Sequence, residues 1–561
     1  MFQKKIIFIL IITIFYQTPL FSKSASFNNF NTKNFSKYFS GIVALENKDN
    51  SEALKFFDSS KILIENYDPY LKRYIYSLVL ENEINKAINL VKTYKDKDNT
   101  NFFDAYLLLI LADLKKGDFQ KAYDQLNNLS NVTNKDRFNS AILESLKQYV
   151  YVFKEKKILD NKKNFGKLSI ISETFQRCYL GDTSTDKYFS KLVYDDESNY
   201  TRYIFFYLSH LIENNRVDDV KRVINDLDYI NTTLLLSQGK SWIENENSKK
   251  LINVFSCKNP NDIISEFLFL ISNIYSSQDD FEKSNFYLNL SHFLNSRFVF
   301  NLSLVAENQF LNGEYKKAKK TLKNFKREDE FYYWYRIKKE SQIIAKQSNE
   351  KESLNYIVSK FNTITEPNNR VLFDIANFYK NSKDYLNAIK YYSKLINSLG
   401  NNSEIKSDLL YRRGGSYERS GVYEKADKDL LDALNIDPDD AYILNYLAYS
   451  WLERNYKIDE AINMLEKAYK LKNNDPYIID SIGWAYYLVN DYLKAEEFIK
   501  RAVELMPDDP IVNDHYGDIL WMLDRKIQAR YFWNNVLDME KTEVEMIENI
   551  NKKLIEGPKK S

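Results

Sequence analysis

Three histidines, two cysteines and a few paired carboxylates are the residues of this chain best suited to chemistry, and their spacing assembles no reaction centre. His210, His292 and His515 stand far apart, with no HxxxH pair to hold a metal on one helix face, so each reads as a core or interhelical histidine. Cys178 and Cys257 form no CxxC; in an oxidising compartment they can pair, and otherwise they are two separate core thiols. There is no GxSxG, no P-loop and no GxGxxG after a strand. The Gly414–Gly415 pair falls inside a helical pattern, and Glu496–Glu497 lies on a helix expected to face solvent, where nothing raises a carboxyl pKa. No catalytic, metal or cofactor-binding residue is therefore assigned, no cofactor is expected, and the chain reads as a non-enzyme. A remote alternative is a helical catalytic module within residues 161–260, which hold His210 and both cysteines without supporting spacing.

The elements that would position any site are helices. The chain has 561 residues but only 13 glycines and 9 prolines, with 44% hydrophobic and 15% aromatic residues. So few breakers and so much apolar matter favour long helices joined by short turns, packed into an ordered core. A net charge of +1 predicts neither nucleic-acid nor membrane-surface binding. The charge is uneven: residues 427–520 hold 20 Asp and Glu against 9 Lys and Arg, a net of −11. Solvated outer faces and helix starts explain this surplus, and so does an acidic groove for a basic partner segment.

Between Ser407 and Leu537 one helical hairpin is written four times with a period of about 34 residues. With Ser407 as position 1, Gly414, Ala426, Ala433 and Pro438 fall at positions 8, 20, 27 and 32. Gly483, Ala495, Ala502 and Pro507 repeat them from Pro476, and Gly517 and Ala529 from Pro510; Ala448, Ala461 and Ala468 mark the unit between. Small residues at these places let two helices approach, and proline ends the second helix because it cannot donate the next hydrogen bond. Upstream, Ala53, Ala87, Ala122, Ser284, Ala318 and Ala388 continue the position-20 series, giving about ten hairpins; 161–260 cannot be phased.

The pattern resembles the tetratricopeptide repeat (TPR), which implies an all-α fold: a TPR-type right-handed solenoid of about ten antiparallel helical hairpins. In such arrays the first helices of successive hairpins line a concave groove through positions 2, 5, 9, 12 and 13. Carried over, these positions give Tyr411 and Glu418, then Tyr442, Asn445 and Tyr449, then Tyr477, Asp480, Trp484 and Tyr487, and last Asp514, Asp518 and Trp521. This is a stripe of aromatics with carboxylates and amides, a composition suited to anchoring a protein partner. Position 5 is never basic, so the resemblance does not extend to the clamp that holds a chaperone's C-terminal carboxylate.

Asp480, Ser481, Gly483 and Trp484, with the run from His515 to Trp521, are similar to a group of exported proteobacterial TPR proteins over about 261–537. One of that group is an envelope adaptor for a carboxyl-terminal processing protease, though the cysteine that would carry its lipid anchor is missing here. Lys4, Lys5 and the apolar run Ile6–Tyr16 suit an export signal with cleavage after Ser22 or Ser24, and the run is too short to span a bilayer. The expected organisation is a signal peptide (1–22), N-terminal TPR-like hairpins (23–160), an irregular helical segment (161–260) and degenerate repeats (261–400). Four well-matched repeats (401–538) and a capping helix with tail (539–561) follow. The expected function is a protein-binding scaffold or adaptor in the periplasm or on the periplasmic face of the envelope. Its partners would be a periplasmic protease with its substrates or, alternatively, outer-membrane or polysaccharide-export assembly proteins, with no nucleic acid and no small-molecule substrate.

Overall fold

The computed structural model describes residues 32–65, 67–94, 100–129, 137–160, 162–193, 201–399 and 404–558. The expected export signal lies outside the described residues. Among those residues every regular element is helical, and no helix is long and apolar enough to cross a membrane. The chain divides into two compact units. The first comprises residues up to Asp226 with Gln238–Tyr332, and the second Leu227–Ser237 with Tyr333 onward. Their boundary at Tyr332 falls inside the stretch 261–400.

In the first unit, α1 (Thr32–Glu46) pairs with α2 (Asn50–Asp58), α3 (Asp68–Leu80) with α4 (Ile84–Tyr94), and α5 (Phe103–Lys116) with α6 (Phe119–Leu129). The long α7 (Arg137–Glu155) follows, then α8 (Lys167–Leu180), α9 (Thr185–Val193), α10 (Thr201–Glu213), α11 (Val217–Asn225), α12 (Leu234–Glu244) and α13 (Lys249–Val254). The second helices here have 9, 9 and 6 residues, too short to carry a readable small-residue period. In place of period, a disulfide between Cys178 and Cys257 holds this region, tying α8 to the turn after α13. Ser209 on α10 adds a hydrogen bond to the Phe255 carbonyl at 2.6 Å, and Phe206 packs on the Phe255 ring.

The hairpins resume with α14 (Pro260–Ser276) and α15 (Phe281–Leu294), then α16 (Leu302–Leu311) and α17 (Tyr315–Leu322). The α14–α15 hairpin lies across the first helices of the N-terminal hairpins. Phe286 stacks on Tyr76 of α3 at 5.0 Å, Asn289 donates to the carbonyls of Val79 and Leu80, and Lys115 of α5 donates to the Phe293 carbonyl. Tyr275 and Phe267 of α14 meet Phe138 and Tyr149 of α7. The face that an N-terminal array would offer a partner is thus occupied by the chain itself.

The second unit continues through α18 (Glu330–Gln347) with α19 (Glu350–Phe361), α20 (Asn369–Asn381) with α21 (Tyr385–Ser398), and α22 (Glu404–Arg419) with α23 (Tyr423–Ile436). Then come α24 (Ala441–Glu453) with α25 (Ile458–Leu471), α26 (Pro476–Leu488) with α27 (Tyr492–Leu505), α28 (Pro510–Met522) with α29 (Lys526–Asp538), and a last helix α30 (Val544–Glu556). The α18–α19 hairpin carries Ser353 at the small position, hydrogen-bonded to Ser341 across the crossing at 2.7 Å, and has Glu350 three residues earlier, where Phe281, Tyr315 and Tyr385 stand in neighbouring hairpins. Arg370 on α20 draws in Leu227–Ser237 by donating to the carbonyls of Ile230 and Thr232 at 2.7 and 2.8 Å.

The small positions sit where helices cross. Ala426, Ala433, Ala448, Ala461, Ala468, Ala495, Ala502 and Ala529 are fully buried, as are Ala53, Ala87, Ala122, Ser284, Ala318 and Ala388. A Cβ on Gly414 would meet Leu430 at 3.0 Å, and one on Gly517 would collide with the Trp533 indole. Pro438 and Pro507 follow α23 and α27, and the second Asp of each following pair, Asp440 or Asp509, caps the next helix by accepting two backbone N–H groups. Asp475 does the same for α26.

Candidate partner-binding site

The first helices α20, α22, α24, α26 and α28 stand side by side, and one recurring contact joins them. At three of the four junctions the side chain at position 6 of a hairpin reaches back between positions 5 and 9 of its predecessor, whereas Ser481 of α26 donates to the Tyr477 carbonyl of its own helix at 2.9 Å. Arg412 lies over Phe373 and faces Asn377. Tyr446 packs edge-on against Tyr411, donates to Glu418 at 3.0 Å and fills the space left by Gly415. His515 stacks on Trp484 with ring centroids 4.1 Å apart and donates from Nδ1 to Asp480 at 3.0 Å. A carboxylate can only accept, so Nδ1 carries the proton. Helix α30 repeats the device without being a full repeat: Lys553 bridges Asp514 and Asp518 at 2.7 and 2.8 Å, and Gly557 abuts the Trp521 indole.

The stripe of candidate groove residues is therefore divided. Asp480, Tyr487 and Asp518 are buried, and both carboxylates are spent inside the chain. Trp484 is sandwiched by Tyr487 and His515, and Trp521 is enclosed by Trp533, Arg530 and Gly557, so neither indole is an open anchor. Tyr411, Glu418, Asn445, Tyr449 and Asp514 are half-buried. Tyr442 and Tyr477 are the members that stand in solvent. Ile511 occupies the corresponding place on α28 and is also exposed; a search for aromatic and polar groove residues passes over it because it is aliphatic.

Of the other histidines, His292 keeps a buried Nδ1 without a partner, and His210 brings Nδ1 to 3.3 Å from Cys178 Sγ and Nε2 to 3.5 Å from Asp186. The fold thus gathers Cys178, His210 and Cys257, which the spacing leaves scattered. The sulfurs are joined and buried, so the cluster holds no thiolate nucleophile, and burial lowers the His210 pKa. Among the described residues no group of three or more His, Cys, Asp or Glu could hold a metal ion.

Burial disfavours a charged imidazole at His515, but Asp480, hydrogen-bonded to it, with Asp514 and Asp518 nearby, outweighs this and raises its pKa. Burial and the neighbouring Asp514 lift Asp518 to about 6 in spite of Lys553. Both shifts have one sign: the folded chain holds these protons more tightly than the unfolded chain. Their stabilising contribution is complete below the unfolded values, about 3.9 for Asp and about 6.5 for His, and is lost as pH rises through the folded ones. The urea midpoint of the second unit is therefore expected to be lower at about pH 6 than at about pH 4, as Asp518 gives up its proton, and to fall further above about pH 6.5, a part that His515→Gln should flatten. A tryptophan-fluorescence titration with the same midpoint at both pH values would contradict this.

Paired antiparallel helices, fully buried small residues at a period of about 34 and first helices ranked side by side define the fold class, an all-α array of tetratricopeptide-type hairpins. The tetratricopeptide repeat family matches residues 370–398 and 407–440, the hairpins α20–α21 and α22–α23. The chain is similar to a TPR repeat-containing protein of Pseudomonas aeruginosa, 34% identical over 111 residues, which are 20% of this chain and 19% of that protein. It is also similar to anaphase-promoting complex subunit 3 of Schizosaccharomyces pombe, 24% identical over 127 residues, 23% of this chain and 17% of that one. It thus spans about a fifth of the length of the curated relatives it matches. Similar solved structures include a tetratricopeptide repeat protein from Parabacteroides merdae (16% identity, 45% of this chain and 97% of that one, TM-score 0.38) and the yeast protein Tom70 (14%, 93% and 95%, 0.35).

Proposed function

We propose that this chain is a non-catalytic protein–protein interaction scaffold of the bacterial cell envelope and that its C-terminal hairpins carry the partner. The observation that carries the reading is the contrast between the two arrays. The first helices of the N-terminal hairpins are covered by α14–α15, whereas α24, α26 and α28 hold Tyr442, Tyr477 and Ile511 in solvent. Exposed aromatics with a polar end, repeated along one array, are suited to anchoring a protein. The apolar run behind Lys4 and Lys5 supports export, and the Cys178–Cys257 disulfide fits an oxidising compartment. Its finer form is an adaptor that presents substrates to a periplasmic protease.

The test compares partners recovered from envelope extracts by the wild type and by Tyr442→Ala/Tyr477→Ala. Both side chains are exposed, so the variant should keep its stability to within about 0.5 kcal/mol while losing most of the recovered partner. Equal recovery would remove this face from the function. A protease among the partners supports the adaptor form; outer-membrane or polysaccharide-export components in its place point to an assembly factor. A purified protein that still begins at Met1 would overturn cleavage.

A further inference from the structure

The turns that follow α23, α25 and α27 carry a repeated apolar pair. The second helix ends on Ile436, Leu471 or Leu505, and six residues later the next first helix shows Tyr442, Tyr477 or Ile511. All six side chains are between 37% and 61% exposed. Scattered surface hydrophobics need no explanation, but the same pair at the same place in three consecutive turns is a ladder. The steps adjoin: Lys472, beside Leu471, lies over the Tyr442 ring at 4.8 Å, and Lys467 reaches the Pro438 carbonyl of the preceding turn at 2.7 Å. The register stops there, because the corresponding place on α30 is Glu545.

From this ladder, and resting on the scaffold reading, the geometry points to a basic amphipathic helix of a partner protein as the occupant of this edge, with aliphatic residues seven apart. Charge and spacing select it. The three turns from Ile436 to Tyr442, Leu471 to Tyr477 and Leu505 to Ile511 hold six aspartates against Lys472, and residues 427–520 carry a net of −11. Asp439 and Asp508 are exposed, and Asp439 already draws Lys467 to 2.8 Å. Such an edge attracts lysine and arginine and repels an anionic membrane surface. Successive first helices touch, which places their axes about 8–10 Å apart. Seven helical residues advance about 10.5 Å, whereas same-face residues of a strand recur at about 6.6–6.8 Å or twice that. A heptad stripe can place one aliphatic residue on each step; a strand cannot.

The test uses the full chain and a synthetic helical peptide, acetylated and amidated, with three leucines seven residues apart and lysines flanking them. Binding is read by fluorescence anisotropy at low and at moderate salt. Tyr477→Ser/Leu471→Ser is expected to weaken it at least about tenfold. Asp439→Asn/Asp508→Asn should weaken it and flatten its salt dependence. The matched peptide with glutamate for lysine should not bind. Equal binding of the glutamate peptide, undiminished binding by the Tyr477/Leu471 variant, or no binding of the lysine peptide overturns the inference. If the inference falls in one of these ways while Tyr442→Ala/Tyr477→Ala still loses partner from envelope extracts, the scaffold reading stands.

Discussion

Gly483→Ala is expected to destabilise the C-terminal repeats by about 2 kcal/mol, although alanine is the better helix former. In a helix interior the exchange should gain about 1 kcal/mol from propensity. Gly483 lies where α26 crosses α27, and a Cβ there would stand 2.6 Å from Ile499 Cγ1 and 3.2 Å from the Ile499 backbone nitrogen. The backbone contact leaves no rotamer that relieves the clash, so the hairpin must open, and overpacking of this kind costs about 1–3 kcal/mol or more. Gly415→Ala is the control. There the new methyl would sit 3.2 Å from the hydroxyl of Tyr446, the movable end of a side chain, so between no change and a gain of about 1 kcal/mol is expected. Urea unfolding of the two variants in parallel decides the matter. Equal midpoints would show that the crossing is looser than the close packing of α26 on α27 implies.

Cys178→Ser/Cys257→Ser, or strong reductant, should cost the first unit about 2–4 kcal/mol. The bond closes a loop across a sequence separation of 79 residues, and it does so where the second helices are shortest and the repeat period is lost. It also seats the buried edge of His210 beside Cys178 Sγ. Trp242, the one tryptophan before residue 333, and hydrogen exchange in α8 and α10 report the loss locally. The tryptophans of the second unit should keep their unfolding midpoint. If Trp242 and the α8 amides are unmoved by reduction, the disulfide is incidental to the fold.

What was legible in the sequence is what depends on neighbours within one hairpin. Gly483, Ala495 and Ala502 recur at fixed places because two helices must cross there in every repeat, so spacing alone locates the crossings. Contacts between hairpins depend on the relative register of two first helices, which no period encodes. That is why Asp480, Trp484, Asp514, Asp518 and Trp521 read as groove residues while the structure commits them to His515, Lys553 and Gly557. The α18–α19 hairpin is obscured by Glu350, which stands three residues before Ser353 where recognised hairpins have an apolar or aromatic residue such as Phe281 or Tyr385. The pairing of Cys178 with Cys257 turns on how three short-helix pairs stack, and the distance between two cysteines in the chain carries no information about that.

The α14–α15 hairpin lying across α3, α5 and α7 also sets an order of events. Asn289 meets the Val79 carbonyl across 210 residues of chain, whereas each unit of an open repeat array meets only its neighbours. During synthesis the N-terminal hairpins emerge long before their cover, with the faces around Tyr76 and Tyr149 bare. They cannot be completed one at a time as they leave the ribosome, and a chain interrupted before Pro260 would be left sticky rather than merely short. The exposed faces of α3, α5 and α7 are thus closed only when α14–α15 arrives.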